Sequence, residues 1–227
     1  MITVHHLDNS RSQRVLWLLE ELGLPYRLVR HARDPRTLLA PAALRAVHPL
    51  GKAPVLEDDG LVLAESGAIL EYLVERYDSG HAFSPPPLPA QSAERLAFRY
   101  WLHYAEGSAM PPLLLSLVLG RIRSAPMPFF VRPVARRIVE GAMSGFVRPQ
   151  LQLHLDWMEQ GLERGGGWFA GGRFSAADIQ MSFPVEAAAV RVGLERHPQL
   201  AAFLQRIRAR PAWQRALEQG GPFAPAA

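Results

Sequence analysis

Hydrophobic and polar positions change period several times along the first third of the chain. Ile2 to Leu7 is a β-prone run that closes on Asp8-Asn9-Ser10, residue types that cap helices. From Ser10 the spacing becomes helical. Val15, Leu18, Leu19 and Leu22 share one face, and Gly23 with Pro25 supplies the stop. Tyr26 to Arg30 reads as a second strand, completing a βαβ unit whose strands should pair in parallel. A variable helical stretch follows. Two short apolar runs, Val55 to Glu57 and Leu61 to Ala64, then flank Asp58-Asp59-Gly60, a strong hairpin signal. Glu65-Ser66 opens a helix with an apolar face of Ile69, Leu70, Leu73 and Val74.

That order, β-α-β-α-β-β-α over residues 1–80, is the order of a thioredoxin-like domain. Residues 81–90, with Pro85, Pro86, Pro87 and Pro89, read as a stiff linker. Residues 91–227 carry helical patterns only, so the expected fold class is α/β followed by an all-α domain. Glu94 to Ala109 predicts a helix that Pro111-Pro112 should break or kink. A second long helix is expected from about Val139 to Glu163, ended by Gly165-Gly166-Gly167. Another begins near Phe174-Ser175-Ala176-Ala177-Asp178, and the last lie around His197 to Gln219. The stretch Arg121 to Arg137 reads as an insertion between helices, able to lid a pocket or meet a partner.

Composition narrows the chemistry. Apolar residues make up 48% and charged residues 20% of 227, an ordinary globular balance. The net charge of +4 is too small to argue for nucleic acid. The pI of about 9.9 reflects an arginine-heavy composition, since Lys52 is the only lysine. Cysteine is absent, which excludes disulfides, thiolate metal sites, a redox couple and a cysteine nucleophile. Any reactive sulfur must then come from a ligand, and no metal site is expected. The start of the chain does not read as a signal peptide, and no apolar run reaches the ~20 residues that span a bilayer. A cytoplasmic protein without a membrane partner is the expectation.

Three local features can carry chemistry, and each also has a plainer reading. Ser10 at the strand-to-helix junction can cap the helix, or its hydroxyl can donate to a thiolate where the helix dipole favours negative charge. Asn9 and Ser12 compete for the same role. Ala53-Pro54 before a strand can be an ordinary trans opener. With a cis bond, the Ala53 backbone can pair with a peptide-like ligand as an added strand. Glu65-Ser66 can be a capping pair. It also suits an amino-acid head group, with Ser66 and free N–H groups for a carboxylate and Glu65 for an ammonium. Lys52 along the same groove can hold a second carboxylate. A ligand with an α-amino acid at one end, a thiol in the middle and a carboxylate at the other describes glutathione.

The runs Ser10-Arg11-Ser12-Gln13-Arg14-Val15-Leu16, Gly51-Lys52-Ala53-Pro54-Val55-Leu56 and Glu65-Ser66-Gly67-Ala68-Ile69 resemble the glutathione transferase superfamily. So do Trp101 to Ser108, Phe174 to Ile179, and the closing His197-Pro198 and Arg210-Pro211-Ala212-Trp213. The subgroup they resemble most is the serine-type enzymes of bacteria and fungi. The resemblance implies a cis Pro54, Ala53 backbone groups on the cysteinyl unit, Glu65 and Ser66 on the γ-glutamyl end, and Lys52 on the glycyl carboxylate. It implies Ser10 as the thiolate's hydroxyl, with Ser175 and Asp178 as a structural capping box. Where many relatives carry a histidine or lysine for the glycyl end, this chain has Thr37-Leu38-Leu39-Ala40-Pro41, so Lys52 would act largely alone or with Arg36. The implied activity is attack of the glutathione thiolate on small, largely apolar electrophiles, with Tyr104 and Ser108 as candidates for the second-substrate pocket. A detoxifying homodimer is expected. The alternatives are a glutathione-dependent peroxidase, isomerase or dehalogenase on the same fold, or a non-catalytic interaction protein that kept it.

Overall fold

The computed structural model describes residues 1–34, 37, 39–87, 89 and 91–223. Arg36, the candidate helper for the glycyl end, lies outside them. The N-terminal unit runs β1 (Ile2–Leu7), α1 (Ser12–Leu22), β2 (Tyr26–His31), α2 (Ala42–Val47), β3 (Val55–Asp58), β4 (Leu61–Ala64) and α3 (Ser66–Tyr77). The sheet order is β2-β1-β3-β4. The β1–β2 pair is parallel, with Ile2 opposite Tyr26, and the β3–β4 hairpin is antiparallel, with Val55 opposite Ala64.

The first helix is buried on more sides than its apolar period suggests. Val15 to Leu19 are all at 0% exposure. Val15, Leu18 and Leu19 form the face read from the sequence, whereas Leu16 and Trp17 serve the all-helical unit. Trp17 stacks tilted on Phe174 at 5.4 Å and edge-on to Trp213 at 4.8 Å between ring centroids. At roughly 25 cal/mol per Å2, burying a side chain of that size is among the larger single contributions to the contact between the two units. The Arg210 guanidinium adds two bonds to Glu21, at 2.5 and 2.9 Å.

The helical unit comprises α4 (Ala93–Tyr104), α5 (Met110–Ser124), α6 (Arg132–Ala142), α7 (Arg148–Arg164), α8 (Ala176–Arg191), α9 (Pro198–Arg208) and α10 (Pro211–Gly220). Of the break or kink expected at Pro111-Pro112, the break does not occur. A π-helical turn, Ala105–Ala109, joins α4 to α5, and the Met110 N–H bonds the Ala105 carbonyl five residues back. The wider turn relieves the clash a proline ring makes with a regular preceding turn, so one helical rod continues through both prolines. The same device, Met143–Val147, precedes Pro149 between α6 and α7. The second long helix therefore starts at Arg132 rather than near Val139. The supposed insertion 121–137 is mostly the end of α5 and the start of α6, with only residues 125–131 outside helix. Between Glu106 and Glu140 lie five arginines and no acidic residue, so the basic surplus is gathered on this hairpin rather than spread over the chain.

α8 is the central helix, buried from Ala176 to Ala188. The expected capping box starts it. Asp178 accepts from the Ser175 N–H at 2.8 Å and hydroxyl at 3.0 Å, and its other oxygen accepts from the Phe169 N–H at 2.8 Å. The start of the linker is strapped by both units. Asp78 accepts the N–H groups of Ala82 and Phe83, while Arg173 donates to the carbonyls of His81 and Ser84.

Candidate functional site

Three N-terminal segments converge on one cavity of about 240 Å3. Lys52, Ala53 and Pro54 come from the loop before β3, Glu65 and Ser66 from the start of α3, and Arg11 from the start of α1; Glu106 reaches in from the π turn. Five of the residues singled out in the sequence therefore share one space. The Ala53-Pro54 bond is cis, and the β1–β3 ladder begins only at Val55, so Ala53 lies outside the pairing.

Glu65 adopts φ +72° and ψ +118°, a backbone region that side chains other than glycine rarely occupy. Such strain persists where the surroundings impose it, and here it places an exposed carboxylate at the cavity rim next to the open N-terminus of α3. Ser66 is buried, and its hydroxyl accepts a 3.0 Å bond from Arg14 Nη1.

Behind Ser66 sits a charge cluster. Arg14 is almost wholly buried. Its Nη1 also reaches Glu106 at 2.7 Å, while its Nε and Nη2 have no hydrogen-bond partner among the described residues. Arg11 Nε donates to the same Glu106 oxygen at 2.8 Å. Burial alone would raise the Glu106 carboxyl, but the charge of Arg14 and the bond and charge of Arg11 outweigh it and hold it at about 2. Burial lowers Arg14 to about 10, with Glu106 opposing, so the cation persists at neutral pH. Arg11, Arg14 and Lys52 against Glu65 and Glu106 leave the site with one surplus positive charge, suited to a ligand bearing net negative charge.

Ser10 stands beside Arg11 but is itself buried. It does not occupy the assigned cap position of α1, which falls on Arg11. Its oxygen accepts the Ser12 N–H at 3.2 Å, which is capping work in part, and it lies 2.7 Å from the Ser12 hydroxyl. Asn9, the other competitor, turns the chain with φ +51°.

Tyr104 and Ser108 are not brought to this cavity. They line a separate groove of about 540 Å3 with Leu96, Tyr100 and His103. Glu106, two residues from each, projects from roughly the opposite side of the helix, and that half-turn decides which residue meets Ser66. The Tyr104 hydroxyl is also engaged, 2.6 Å from His154 Nδ1, and burial and the nearby Tyr100 push its pKa up. Sequence reasoning assigned no role to Arg11, Arg14 or Glu106. The available signal was the three-residue spacing of the two arginines, which puts both on one face of the first turn of α1.

Comparison with known proteins supplies independent findings. Residues 10–76 match the glutathione S-transferase N-terminal domain family, and residues 136–219 match its C-terminal domain family. Glutathione S-transferase 1 of Saccharomyces cerevisiae is 34% identical over 215 residues, covering 91% of this chain and 90% of that protein. Glutathione S-transferase 3 of Schizosaccharomyces pombe is 41% identical over 189 residues, covering 83% and 74%. The crystal structure of a glutathione S-transferase from Actinobacillus pleuropneumoniae superposes with a TM-score of 0.82 at 34% identity, covering 98% and 94%.

Proposed function

We propose that this chain, which belongs to the glutathione S-transferase superfamily, binds glutathione in the cavity of Ala53 and Ser66 and adds its sulfur to small electrophiles. The observation that carries the reading is the convergence of Lys52, Ala53, Pro54, Glu65 and Ser66 on one cavity. Glu65 would take the ligand's ammonium, Ser66 and the α3 N–H groups its α-carboxylate, and Lys52 its far carboxylate. Ala53, unused by the sheet, would pair with the central residue through its backbone. That registration brings the thiol toward the start of α1, where Ser10, the helix dipole and Arg11 favour the thiolate. Each unit by which the thiol pKa falls corresponds to ~1.4 kcal/mol of preferential binding of the charged form.

The second-substrate role of Tyr104 and Ser108 has no comparable support, because their groove lies apart from the cavity. We read the protein as a cytoplasmic, detoxifying homodimer. Support for self-association comes from the edge strand β4, where Leu61 and Val62 are exposed. Among the described residues no helix is long and apolar enough to cross a membrane.

Conjugation assays against a panel of electrophiles test the function. The wild-type protein should convert at least one, and Ser10→Ala should lower kcat/KM by about tenfold or more, in the range of one lost charge-assisted hydrogen bond. A wild-type protein inert toward the whole panel would overturn the conjugating activity.

A further inference from the structure

Behind Ser10 runs a chain of short hydrogen bonds. Ser10 Oγ lies 2.7 Å from Ser12 Oγ, Ser12 Oγ lies 2.9 Å from His6 Nδ1, and His6 Nε2 lies 2.9 Å from the Gly220 carbonyl of α10. Ser10, Ser12 and His6 are all buried. The carbonyl can only accept, so Nε2 carries the ring proton. In the neutral ring Nδ1 must then accept, which makes Ser12 its donor. The Leu7 carbonyl, at 3.3 Å, is the longer of the two acceptors within reach of the Ser12 proton, and the Ser12 oxygen, which takes the Leu7 N–H at 3.2 Å, is left to accept from Ser10 as well. The Ser10 proton thus points into the protein, away from any sulfur in the cavity, for as long as His6 is neutral. A serine held this way cannot donate to a thiolate.

We propose that His6 is a positioning residue that, through Ser12, receives the proton of the glutathione thiol and thereby turns the Ser10 hydroxyl toward the sulfur. This rests on the reading of Ser10 given above. The step is a relay. The S–H bond breaks as its proton passes to Ser10 Oγ, the Ser10 proton passes to Ser12, and the Ser12 proton passes to His6 Nδ1. The products are a thiolate, two neutral serines and an imidazolium, with charge and protons conserved. The two bonds between Ser10, Ser12 and His6 Nδ1 are reversed, while Nε2 keeps donating to the Gly220 carbonyl. His6 now donates to Ser12, Ser12 to Ser10, and Ser10 to the thiolate. After the sulfur has been alkylated, the proton returns along the same chain to water in the cavity.

The charged and polar groups around His6 bear on its proton in both directions. The Asp8 carboxylate is 3.9 Å from Nε2 and, with the Gly220 carbonyl, favours the imidazolium. Burial, Arg30 and His31 disfavour it, and burial dominates, so the ring is neutral at rest. The thiolate supplies the missing compensation. Its charge and the two charge-assisted bonds at the ends of the relay exist only after transfer. His6 therefore gains its proton when glutathione is bound and not before.

The test measures two quantities on the full-length protein at pH 7: thiolate formed on binding glutathione, by its ultraviolet absorbance, and protons released to solvent, by calorimetry in buffers of different ionisation enthalpy. The relay predicts a bound thiolate with well under half a proton released per thiolate, because His6 keeps it. His6→Asn, which offers Ser12 an acceptor that cannot be protonated, should raise the bound thiol's pKa by about one unit, a tenfold loss of thiolate at pH 7. Ser12→Ala removes the inward acceptor and should move the thiol pKa the other way, which mere loss of packing would not do. One full proton released per thiolate by the wild-type protein would overturn the relay without needing any variant. Ser10→Ala separates the two failures. An unchanged thiolate there overturns the reading of Ser10 and the relay with it. A lost thiolate in Ser10→Ala beside an unchanged one in His6→Asn overturns the relay alone.

Discussion

Glu106 is an acid held near pH 2 by two arginines, and its contribution to stability follows from the sign of that shift. The folded pKa lies below the ordinary 4.5, so between about pH 4.5 and 2 the unfolded chain binds more protons than the folded one. Stability from this group is fully present above that window and is lost as pH falls through it. Thermal melts of wild type and Glu106→Gln at stepped pH should show a gap that is constant above pH 5 and closes below 4.5. A gap that widens on acidification would mean that the arginines are not what holds this carboxyl. Glu65 separates backbone from ligand. With φ +72°, Glu65→Gly relieves strain and should leave stability within about 1 kcal/mol of wild type. The same change should weaken glutathione binding tenfold or more, because the carboxylate for the ammonium is gone. Glu65→Val, β-branched in the same backbone region, should instead cost roughly 1–3 kcal/mol by chemical denaturation.

At the scale of elements, what the sequence discloses depends on how local the cause is. The βαβ start, the Asp59-Gly60 hairpin and the Ser175–Asp178 box rest on neighbours in sequence, and the structure places all three as read. Removing the Asp178 acceptor leaves buried donors at Ser175 and Phe169 without a partner. Asp178→Ala should therefore cost about 3 kcal/mol in urea unfolding. Other features were illegible for a physical reason. Proline normally ends a helix, and nothing in Met110-Pro111-Pro112 announces the π turn that carries the rod past it. Leu16 and Trp17 fall off the apolar face of α1 because they answer to helices that come about 150 residues later or more. The site divides along the same line. Lys52, Ala53, Pro54, Glu65 and Ser66 sit in short motifs and were readable. The Arg11–Glu106–Arg14 cluster and the His6–Gly220 bond join residues 92 to 214 positions apart, and beyond the three-residue spacing of the two arginines no local pattern marks them.

For the molecule as a whole, charge constrains how two copies can meet. The α5–α6 hairpin carries five arginines without a compensating acid until Glu140, and a twofold contact would set like charges against each other there. The exposed β4 edge carries no such penalty. Sedimentation should give a particle of about twice the 25.2 kDa chain mass, and Val62→Arg should shift it toward the single chain. An unchanged mass in that variant would place the contact elsewhere.

One cavity that binds glutathione through Lys52, Glu65 and Ser66 is the centre of the proposed function. Calorimetric titration with glutathione tests it most directly, comparing wild type with Lys52→Met, Glu65→Gln and Ser66→Ala. A single saturable site per chain, weakened about tenfold or more by each change, is the predicted result. Wild-type affinity retained in all three variants, or no binding by the wild-type protein, would contradict it.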